Sequence, residues 1–386
     1  MAENILAGLE LPLTYPVNQD ARHWLKPEDS LLFLCTRQEF GDDARDQAVE
    51  MCRSHPIDWE VVYTTAEAHG VAPLVHANLL KGATAGLVLP PATKDKFETS
   101  FFRNMLVKEK SAQHTAAALG RFNAADIDVM LIKGAALDVT VYDKPWYTAF
   151  DDVDLVIRCT EDEIREADVV AMVGPQEFLN LEFDYFEHHD VVMNGVLSVD
   201  FNRIWQDAVE IQFRGQRAFL MAPEDMLISL CINSCRKRFF RLKSLCDIAE
   251  TVHKYRDLNW DTFVEKARDY DCAAIVYTAL LAAQRTVGCA LPDDVLDRLP
   301  VGRVRAVGVT FLTHYLAHHA PLASFSPRLG RAVFGRHLAL SLALPYTVYR
   351  PHQWRRKLRF LWSTRRHDYP SLDTYTRRNR AERCRR

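Results

Sequence analysis

The chain has 386 residues, of which 48% are hydrophobic, 26% charged and 10% aromatic, and its formal net charge is −3. This composition is typical of a globular protein and argues against a disordered chain, a collagen-like repeat or a coiled coil. At roughly 100–200 residues per domain, the length predicts two or three domains. The sequence predicts no transmembrane segment, since no apolar run reaches the ~18 residues of a spanning helix, and its first residues lack a signal-peptide pattern.

The cysteines indicate a reducing compartment. There are nine, an odd number, and no two of them form a CxxC pair. A secreted disulfide framework is normally even and dense, so we expect a cytoplasmic protein. Cys231 and Cys235 lie four apart on a predicted helix. Two small buried apolar side chains are the favoured interpretation there, with a zinc site as the alternative.

The first 126 residues predict a helical region. Pro27, followed by two acidic residues, marks a helix start, and residues 58–80 predict two helices broken near Gly70–Pro73. A long helix is expected after Pro90–Pro91. Its apolar face has helical spacing and comprises Phe97, Phe101, Met105, Ala112, Ala116 and Leu119.

The pattern changes at Ile127, where IDVMLI predicts a buried strand that ends at Lys133-Gly134. AALDVTVY then fits a short helix, and DDVDLVIR, over residues 151–158, predicts a second strand. A polar helix is expected to begin near Thr160. HHDVVMN and VLSVDFN, separated by Asn194-Gly195, predict a hairpin.

From Pro223 the pattern is helical again. The sequence therefore predicts an α+β protein with a small mixed-sheet core between two helical regions. The expected division is an N-terminal helical region over 1–126, a core over 127–222, a helical domain over 223–350 and a basic tail over 351–386.

Two acidic residues inside an apolar strand, Asp152 and Asp154, stand out. Alternate strand residues point to the same face, so these two carboxylates lie side by side while Val153 and Leu155 face the core. Neighbouring carboxylates repel each other unless a cation lies between them, and hard oxygen ligands suit Mg²⁺. Most [DE]x[DE] triplets are solvated loops, but this one lies within VDLVI, where unpaired charges are costly.

The segment LIKGAALDVTVYDKPWYTAFDDVDLVI resembles the core of the uncharacterised nucleotidyltransferase family, within the polymerase-β-like nucleotidyltransferase superfamily. Flanking segments agree with the resemblance, which spans roughly residues 58–250. They are DWEVVYTTAEAHGVAPL before it and SVDFNRIW, APEDMLISL and RLKSLCDIAETV after it.

The resemblance implies roles for individual residues. Gly134 and Ala135, at a helix N-terminus, would present backbone N–H groups to a triphosphate. Asp152 and Asp154 would hold one or two Mg²⁺ ions and act as catalytic residues. A third carboxylate on a later strand would complete the set, and Asp200 is the choice, with Asp190 and Glu187 as alternatives.

Basic residues complete the predicted nucleotide site. Lys133 is expected to neutralise the β- and γ-phosphates, with a surface lysine as the alternative. Arg241 and Lys243, in a basic cluster that begins at Arg236, are candidates to close on the triphosphate; a solvated helix face is the alternative. Trp205 would stack on a base or pack in the core.

The sequence also departs from the family pattern. Gly134-Ala135 stands where the superfamily usually has Gly-Ser, Thr148 lies near a position that is often Arg, and Asn202 replaces a frequent His. These departures motivate an alternative function, that of a non-catalytic nucleotide-binding or regulatory module.

The expected reaction is Mg²⁺-dependent transfer of a nucleoside monophosphate from a nucleoside triphosphate, with ATP expected, to a small-molecule or peptide acceptor.

The basic tail suggests a different class of function, that of an adaptor protein. Residues 351–386 hold 12 Lys and Arg against 3 Asp and Glu, interleaved with aromatic residues. A tail of this kind could bind an anionic membrane, nucleic acid or an acidic peptide, whereas a solvated, frayed end is the simpler interpretation.

Overall fold

The structure is a computed structural model of the chain. It describes residues 26–149, 152–158, 169, 172, 181–185, 197–237, 239, 241–319 and 353. The predicted helix near Thr160 and the predicted first hairpin strand lie outside these residues. So does the basic tail except for Gln353, which is buried and donates from Nε2 to the carbonyl and to Oδ2 of Asp271.

Between residue 26 and the sheet, the described part of the chain forms five helices. The sequence predicts a helical region here, but not the helix Asp42–Ser54. A proline in the first turn begins three of them, where the missing N–H costs no intrahelical bond. Asp58 caps the third by accepting from the N–H groups of Glu60 and Val61. The helices are α1 (Pro27–Leu34), α2 (Asp42–Ser54), α3 (Trp59–His69), α4 (Ala72–Ala83) and α5 (Pro91–Ala124).

A five-stranded mixed sheet follows, in the order β3-β2-β1-β5-β4. β2 runs antiparallel to β1 and parallel to β3, while β5 runs parallel to β1 and antiparallel to β4. The two predicted strands are confirmed as β1 and β2, and the predicted short helix as α6 (Lys133–Thr140). The strands are β1 (Val129–Ile132), β2 (Val153–Ile157), β3 (Leu181–Tyr185), β4 (Val209–Phe213) and β5 (Gln216–Leu220).

The hairpin of β4 and β5 was not foreseen. Its two-residue turn, Arg214-Gly215, has positive φ at both residues, 50° and 80°. Such turns match the twist of the paired strands, but Asn-Gly or Asp-Gly is their usual signature. The predicted second hairpin strand is wrong over the described residues, because residues 198–200 have no regular structure and Phe201–Gln206 form helix α7.

Residues 223–319, the described part of the predicted C-terminal helical domain, contain helices as predicted. Acidic residues lie in the first turn of α8, where they favour the positive end of the helix dipole, and left-handed Gly288 ends α11. The helices are α8 (Pro223–Arg236), α9 (Leu242–Lys254), α10 (Trp260–Asp269), α11 (Ala273–Val287), α12 (Val295–Arg298) and α13 (Arg303–His319).

One continuous apolar core joins these parts. It runs from Leu31 in α1 through the four buried residues of β1 to Leu299 after α12. The fold is α+β, with a small mixed sheet between helical regions. The predicted division into four regions stays a prediction. Within the described residues, no helix combines the length and apolarity needed to cross a bilayer.

Candidate active site

The junction between β1 and α6 forms the first part of the site. Lys133, the first residue of α6, has a left-handed φ of 50°, which is uncommon for a residue with a side chain. Ile132, the residue before this helix, provides no side-chain cap. A Cβ placed on Gly134 meets no atom of the described residues within 4 Å, so the described part of the structure leaves space around this glycine. The geometry suits the approach of an anion to backbone N–H groups.

The two aspartates lie beside this junction. β1 and β2 pair so that Asp154 lies opposite Ile132, the last residue of β1. Asp152 is half-buried just before β2, and Asp154 is 8% exposed within it. All five residues of β2 are buried, Val153 and Asp154 among them, so the strand is covered on both faces. Both carboxylates therefore lie at the edge of the sheet where α6 begins.

Lys133 contacts Asp154 directly. Its Nζ donates to Oδ1 of Asp154, and the two side chains keep 17% and 11% of their surface exposed. The sequence placed Lys133 near the acidic pair only through chain order. The antiparallel register makes the contact, because it brings the residue after β1 beside the second residue of β2.

A buried polar cluster supports the segment that leads into Asp152. Lys108 in α5 donates to both carboxylate oxygens of Asp138, at 2.8 and 2.6 Å, and to Oγ1 of Thr148 at 3.0 Å. Asn104 donates to the backbone carbonyls of Trp146 and Thr148. Burial lowers the pKa of Lys108 and raises that of Asp138. These contacts tie the long helix to α6 and to the chain just before the acidic pair.

Sequence reasoning missed Lys108 and Asn104, although a signal was present. Both fall within the apolar stripe of α5, at helical spacing from Phe97 and Phe101. A lysine on an otherwise buried helix face must find a partner, because an unpaired buried ammonium is costly. The sequence offered no indication of which carboxylate it would meet.

Arg241 and Lys243 lie near the same segment, next to the turn at Gly70. A Cβ on Gly70 would lie 3.0 Å from Nη2 of Arg241 and 3.4 Å from Cδ of Lys243. Gly70, with φ of 71°, ends α3, and its carbonyl accepts from the N–H of Ala149 at 3.3 Å. Both the left-handed backbone and this close approach favour glycine. The two basic residues thus lie next to Ala149, three residues before Asp152.

Lys243 has a protein partner. Its Nζ lies 2.9 Å from Oδ2 of Asp247, whose Oδ1 accepts from the hydroxyl of Tyr142 at 2.7 Å. Burial, followed by the nearby charge of Asp247, raises the pKa of Tyr142. Lys243 is therefore part of this hydrogen-bond network with Asp247 and Tyr142. Arg241 lies just before α9, beside the turn at Gly70.

Asp200 is not on a strand, contrary to the sequence expectation. It caps α7 by accepting from the N–H groups of Asn202 and Arg203, at 3.0 and 3.3 Å. Trp205 in the same helix lies under the guanidinium of Arg158, which follows the carboxyl end of β2. Asp152 and Asp154 lie at the amino end of that strand. The contacts therefore place α7 by the far end of β2, and the role of Asp200 as a third ligand stays a prediction.

The remaining candidate residues are either buried in the core or lie outside the described residues. Trp205 packs edge-to-face on Phe219 and is 5% exposed, which favours the core alternative. Cys231 and Cys235 are buried in α8, and no group of three or more His, Cys, Asp or Glu residues in the described part is placed to hold a metal. Asp190 and Glu187, the alternatives to Asp200, lie outside the described residues.

The sheet register pairs Asp154 with an acidic position that sequence reasoning did not consider. β2 and β3 are parallel, and Glu182 is the register partner of Asp154. The alternating sequence LEFDY is common among strands and does not identify a neighbour. Only the pairing of β3 with β2 shows that position 182 lies next to Asp154.

Comparison with known proteins identifies a relationship. The model of a family described as uncharacterised nucleotidyltransferase matches residues 55–288. No curated protein matches the chain. The crystal structure of an antigenic nucleotidyltransferase-like protein from Paracoccidioides brasiliensis is similar over 44% of this chain and 93% of its own, with 14% identity and a TM-score of 0.31.

Proposed function

This chain belongs to the uncharacterised nucleotidyltransferase family, and we propose that it moves a nucleoside monophosphate from a nucleoside triphosphate to an acceptor hydroxyl or phosphate. Mg²⁺ would be held by Asp152 and Asp154. ATP is the nucleotide we propose to test first. The observation that carries the proposal is the position of these two carboxylates, beside the helix N-terminus that begins with Lys133.

The donor set fits Mg²⁺. Two aspartates at alternate strand positions supply hard oxygen atoms, and Mg²⁺ uses one or two carboxylates together with phosphate oxygens and water. Asp152 is half-buried, so part of it faces solvent. Asp154 has a cation at hydrogen-bond distance in Lys133, which supports the idea that this carboxylate interacts with positive charge. When bound, Mg²⁺ neutralises triphosphate charge and favours attack at the α-phosphorus.

The proposed reaction is a substitution at phosphorus and needs no oxidant or reductant. An acceptor oxygen forms a bond to the α-phosphorus as the bond from that phosphorus to the bridging oxygen of the β-phosphate breaks. Pyrophosphate leaves with the electron pair, and the acceptor proton passes to solvent or to a nearby base. Charge on the leaving pyrophosphate must be neutralised, and Lys133 is the basic side chain that we assign to it.

The remaining residues bind and position. The N–H groups of Gly134 and Ala135, in the first turn of α6, would donate to phosphate oxygens, a contact that does not need the missing serine hydroxyl. Arg241, beside Ala149, is proposed to contact the triphosphate from the other side. Lys243 is proposed to hold the segment before Asp152 in place through its ion pair with Asp247.

A label-transfer experiment tests the function. The full chain is incubated with Mg²⁺, each α-³²P-labelled nucleoside triphosphate in turn and a lysate as the source of acceptors. We expect label in an acceptor together with released pyrophosphate, and neither product with Asp154→Asn. Asp126→Asn is the matched control, because Asp126 is exposed and its left-handed φ of 56° suits asparagine. Label transfer that survives Asp154→Asn would contradict the site.

A non-catalytic nucleotide-binding module is the second candidate. It is favoured by the departures of the sequence from the family pattern: Ala135 stands where serine is usual, Thr148 lies near a position that is often Arg, and Asn202 replaces a frequent His. Under this alternative, calorimetry detects Mg²⁺-dependent nucleotide binding that Asp154→Asn abolishes, while no acceptor becomes labelled with any of the nucleotides.

A further inference from the structure

Asp154 already has a cation in contact. Lys133 donates to one carboxylate oxygen, and both side chains are mostly enclosed, with exposed fractions of 17% and 11%. Within the described part of the chain, Lys133 is the one basic side chain that forms an ion pair with Asp154. The ammonium therefore lies at the carboxylate to which a divalent ion would bind.

A bare divalent ion meets an obstacle at this position. It must either displace the Lys133 ammonium or share the carboxylate with it. Sharing brings like charges together, and displacement leaves an ammonium without its partner in a site where little water reaches it. Binding of the metal alone is opposed in both cases.

A triphosphate removes the obstacle. Its oxygens accept charge-assisted hydrogen bonds from the ammonium, so Lys133 can leave Asp154 without losing a partner. The four-carbon stem of lysine allows this movement. Lys133 is also the first residue of α6, so its backbone already lies at the helix N-terminus where phosphate oxygens are expected.

We propose that Lys133 is the resident counter-ion of Asp154 and makes divalent-metal binding depend on a bound triphosphate. The ammonium moves from the carboxylate to the phosphates as the metal takes the carboxylate. This inference rests on the proposed function and adds the coupling between its two ligands. By linkage, metal and triphosphate each raise the affinity for the other.

Binding of bare Mn²⁺, followed by the electron paramagnetic resonance signal of the free ion, tests the proposal on the full chain. We expect Lys133→Met to bind Mn²⁺ about tenfold more tightly than the unmodified protein, since the competing charge is gone. Lys133→Gln should act in the same direction. The matched control is Lys144→Met, which removes the charge of an exposed lysine near Trp146 and should leave Mn²⁺ affinity unchanged.

A second measurement tests the coupling. The dissociation constant of α,β-methylene-ATP is compared in EDTA and in excess Mn²⁺, and the ratio of the two should shrink in Lys133→Met. Adding Asp152→Asn to Lys133→Met should remove the gain in Mn²⁺ affinity, which assigns that gain to this site.

The outcomes separate this inference from the proposed function. If Lys133→Met binds bare Mn²⁺ no more tightly while the unmodified protein binds the analogue in an Mn²⁺-dependent manner, the counter-ion role is wrong and the proposed site stands. If neither protein binds Mn²⁺ or the analogue under any condition, the counter-ion role and the proposed nucleotide site are both overturned.

Discussion

Two lysine–aspartate pairs in this molecule have similar chemistry and different surroundings. Lys266 in α10 is 1% exposed, and its Nζ lies 2.6 Å from carboxylate oxygens of both Asp207 and Asp225. The hydroxyl of Tyr270 donates to the other oxygen of Asp225. Lys133, in contrast, pairs with a single carboxylate near the end of a strand and retains 17% exposure.

The difference separates a structural ion pair from one that can exchange partners. Burial lowers the pKa of Lys266, but its hydrogen bonds to Asp207 and Asp225 outweigh burial, so the net shift is upward. Burial raises the pKa of Asp225 despite Lys266. Each oxygen of Asp225 accepts from a protein donor, and the side chain is fully buried, so a ligand in solution does not reach it. The full burial of Lys266 with Asp225 indicates a stabilising role, and the partly exposed pair of Lys133 with Asp154 at the end of the strand indicates a binding role.

The largest effect is expected from Lys266→Met. The substitution leaves the buried Asp225 carboxyl with the Tyr270 hydroxyl as its one remaining side-chain donor among the described residues, which should cost about 3–5 kcal/mol of unfolding free energy. Urea unfolding measures this loss. Nucleotide affinity of the folded protein should not change, and a variant as stable as the unmodified chain would show that the cluster contributes nothing to the fold.

Asp152→Asn and Asp154→Asn should have their main effect on nucleotide binding. Each removes a negative charge from the proposed metal site, and Mg²⁺-dependent triphosphate binding should weaken by about 100-fold or more. Asp152→Asn should change the unfolding free energy little, because Asp152 is half-buried. Asp154→Asn should lower it, because the mostly enclosed Lys133 ammonium loses its charged partner. Calorimetry with Mg²⁺ and a non-hydrolysable triphosphate checks the affinity. Unchanged affinity in both variants would falsify the site assignment.

Lys133→Ala should have an intermediate effect on nucleotide binding. If the ammonium binds the β- and γ-phosphates, its loss should weaken triphosphate binding by about 1–3 kcal/mol. Monophosphates lack those phosphates and should be nearly unaffected. Equal losses for triphosphate and monophosphate, measured by the same titration, would show that Lys133 does not contact the triphosphate tail.

Asp200 distinguishes a helix cap from a catalytic carboxylate. Asp200→Ala removes the acceptor for two N–H groups of α7 and should cost about 1 kcal/mol of stability, whereas Asp200→Asn keeps the cap. Steady-state kinetics of Asp200→Asn then test the role predicted from sequence. A lower kcat with unchanged nucleotide affinity supports a role in acceptor activation, and unchanged kinetics leave Asp200 as a cap alone.

The smallest effect concerns alkaline pH. Because the folded-state pKa of Lys266 is raised above its ordinary value of 10.5, its stabilising contribution is complete below pH 10.5 and is lost as the pH rises through the folded-state value. The stability difference between the unmodified chain and Lys266→Met should therefore be constant up to about pH 10 and shrink above it. Urea unfolding at pH 8, 10 and 11.5 measures this difference; a gap that widens at pH 11.5 would contradict the assignment.

Local patterns in the sequence were sufficient for the helices before the sheet except α2, for β1, α6 and β2, and for the first two helices after the sheet. The apolar spacing of α5, the proline starts of α1 and α5 and the short apolar runs of β1 and β2 each depend on neighbouring residues, so one chain segment contains the whole signal. The alternation in Asp152-Val153-Asp154 belongs to the same class. It predicted both a strand and two carboxylates on one face.

Prediction from sequence failed where one local pattern is compatible with two structures. VLSVDFN alternates like a strand, but Asp is also a preferred N-cap residue, and in the structure Asp200 caps helix α7. The backbone N–H of Ser198, two residues earlier, donates to the carbonyl of Tyr270. The β4–β5 hairpin was missed because Arg214 adopts a positive φ that its side chain does not favour.

By itself the sequence determined the α+β class, β1, α6 and β2, and the acidic pair at the start of β2. Tertiary structure decided which charges meet: Lys133 with Asp154, Lys108 with Asp138, and Lys266 with Asp207 and Asp225. The physical reason is that periodicity is a property of successive residues, whereas an ion pair depends on strand register and helix packing between residues 20 to 60 positions apart. The same packing sets how far each pair is enclosed, and enclosure separates the binding edge at Lys133 from the structural cluster at Lys266.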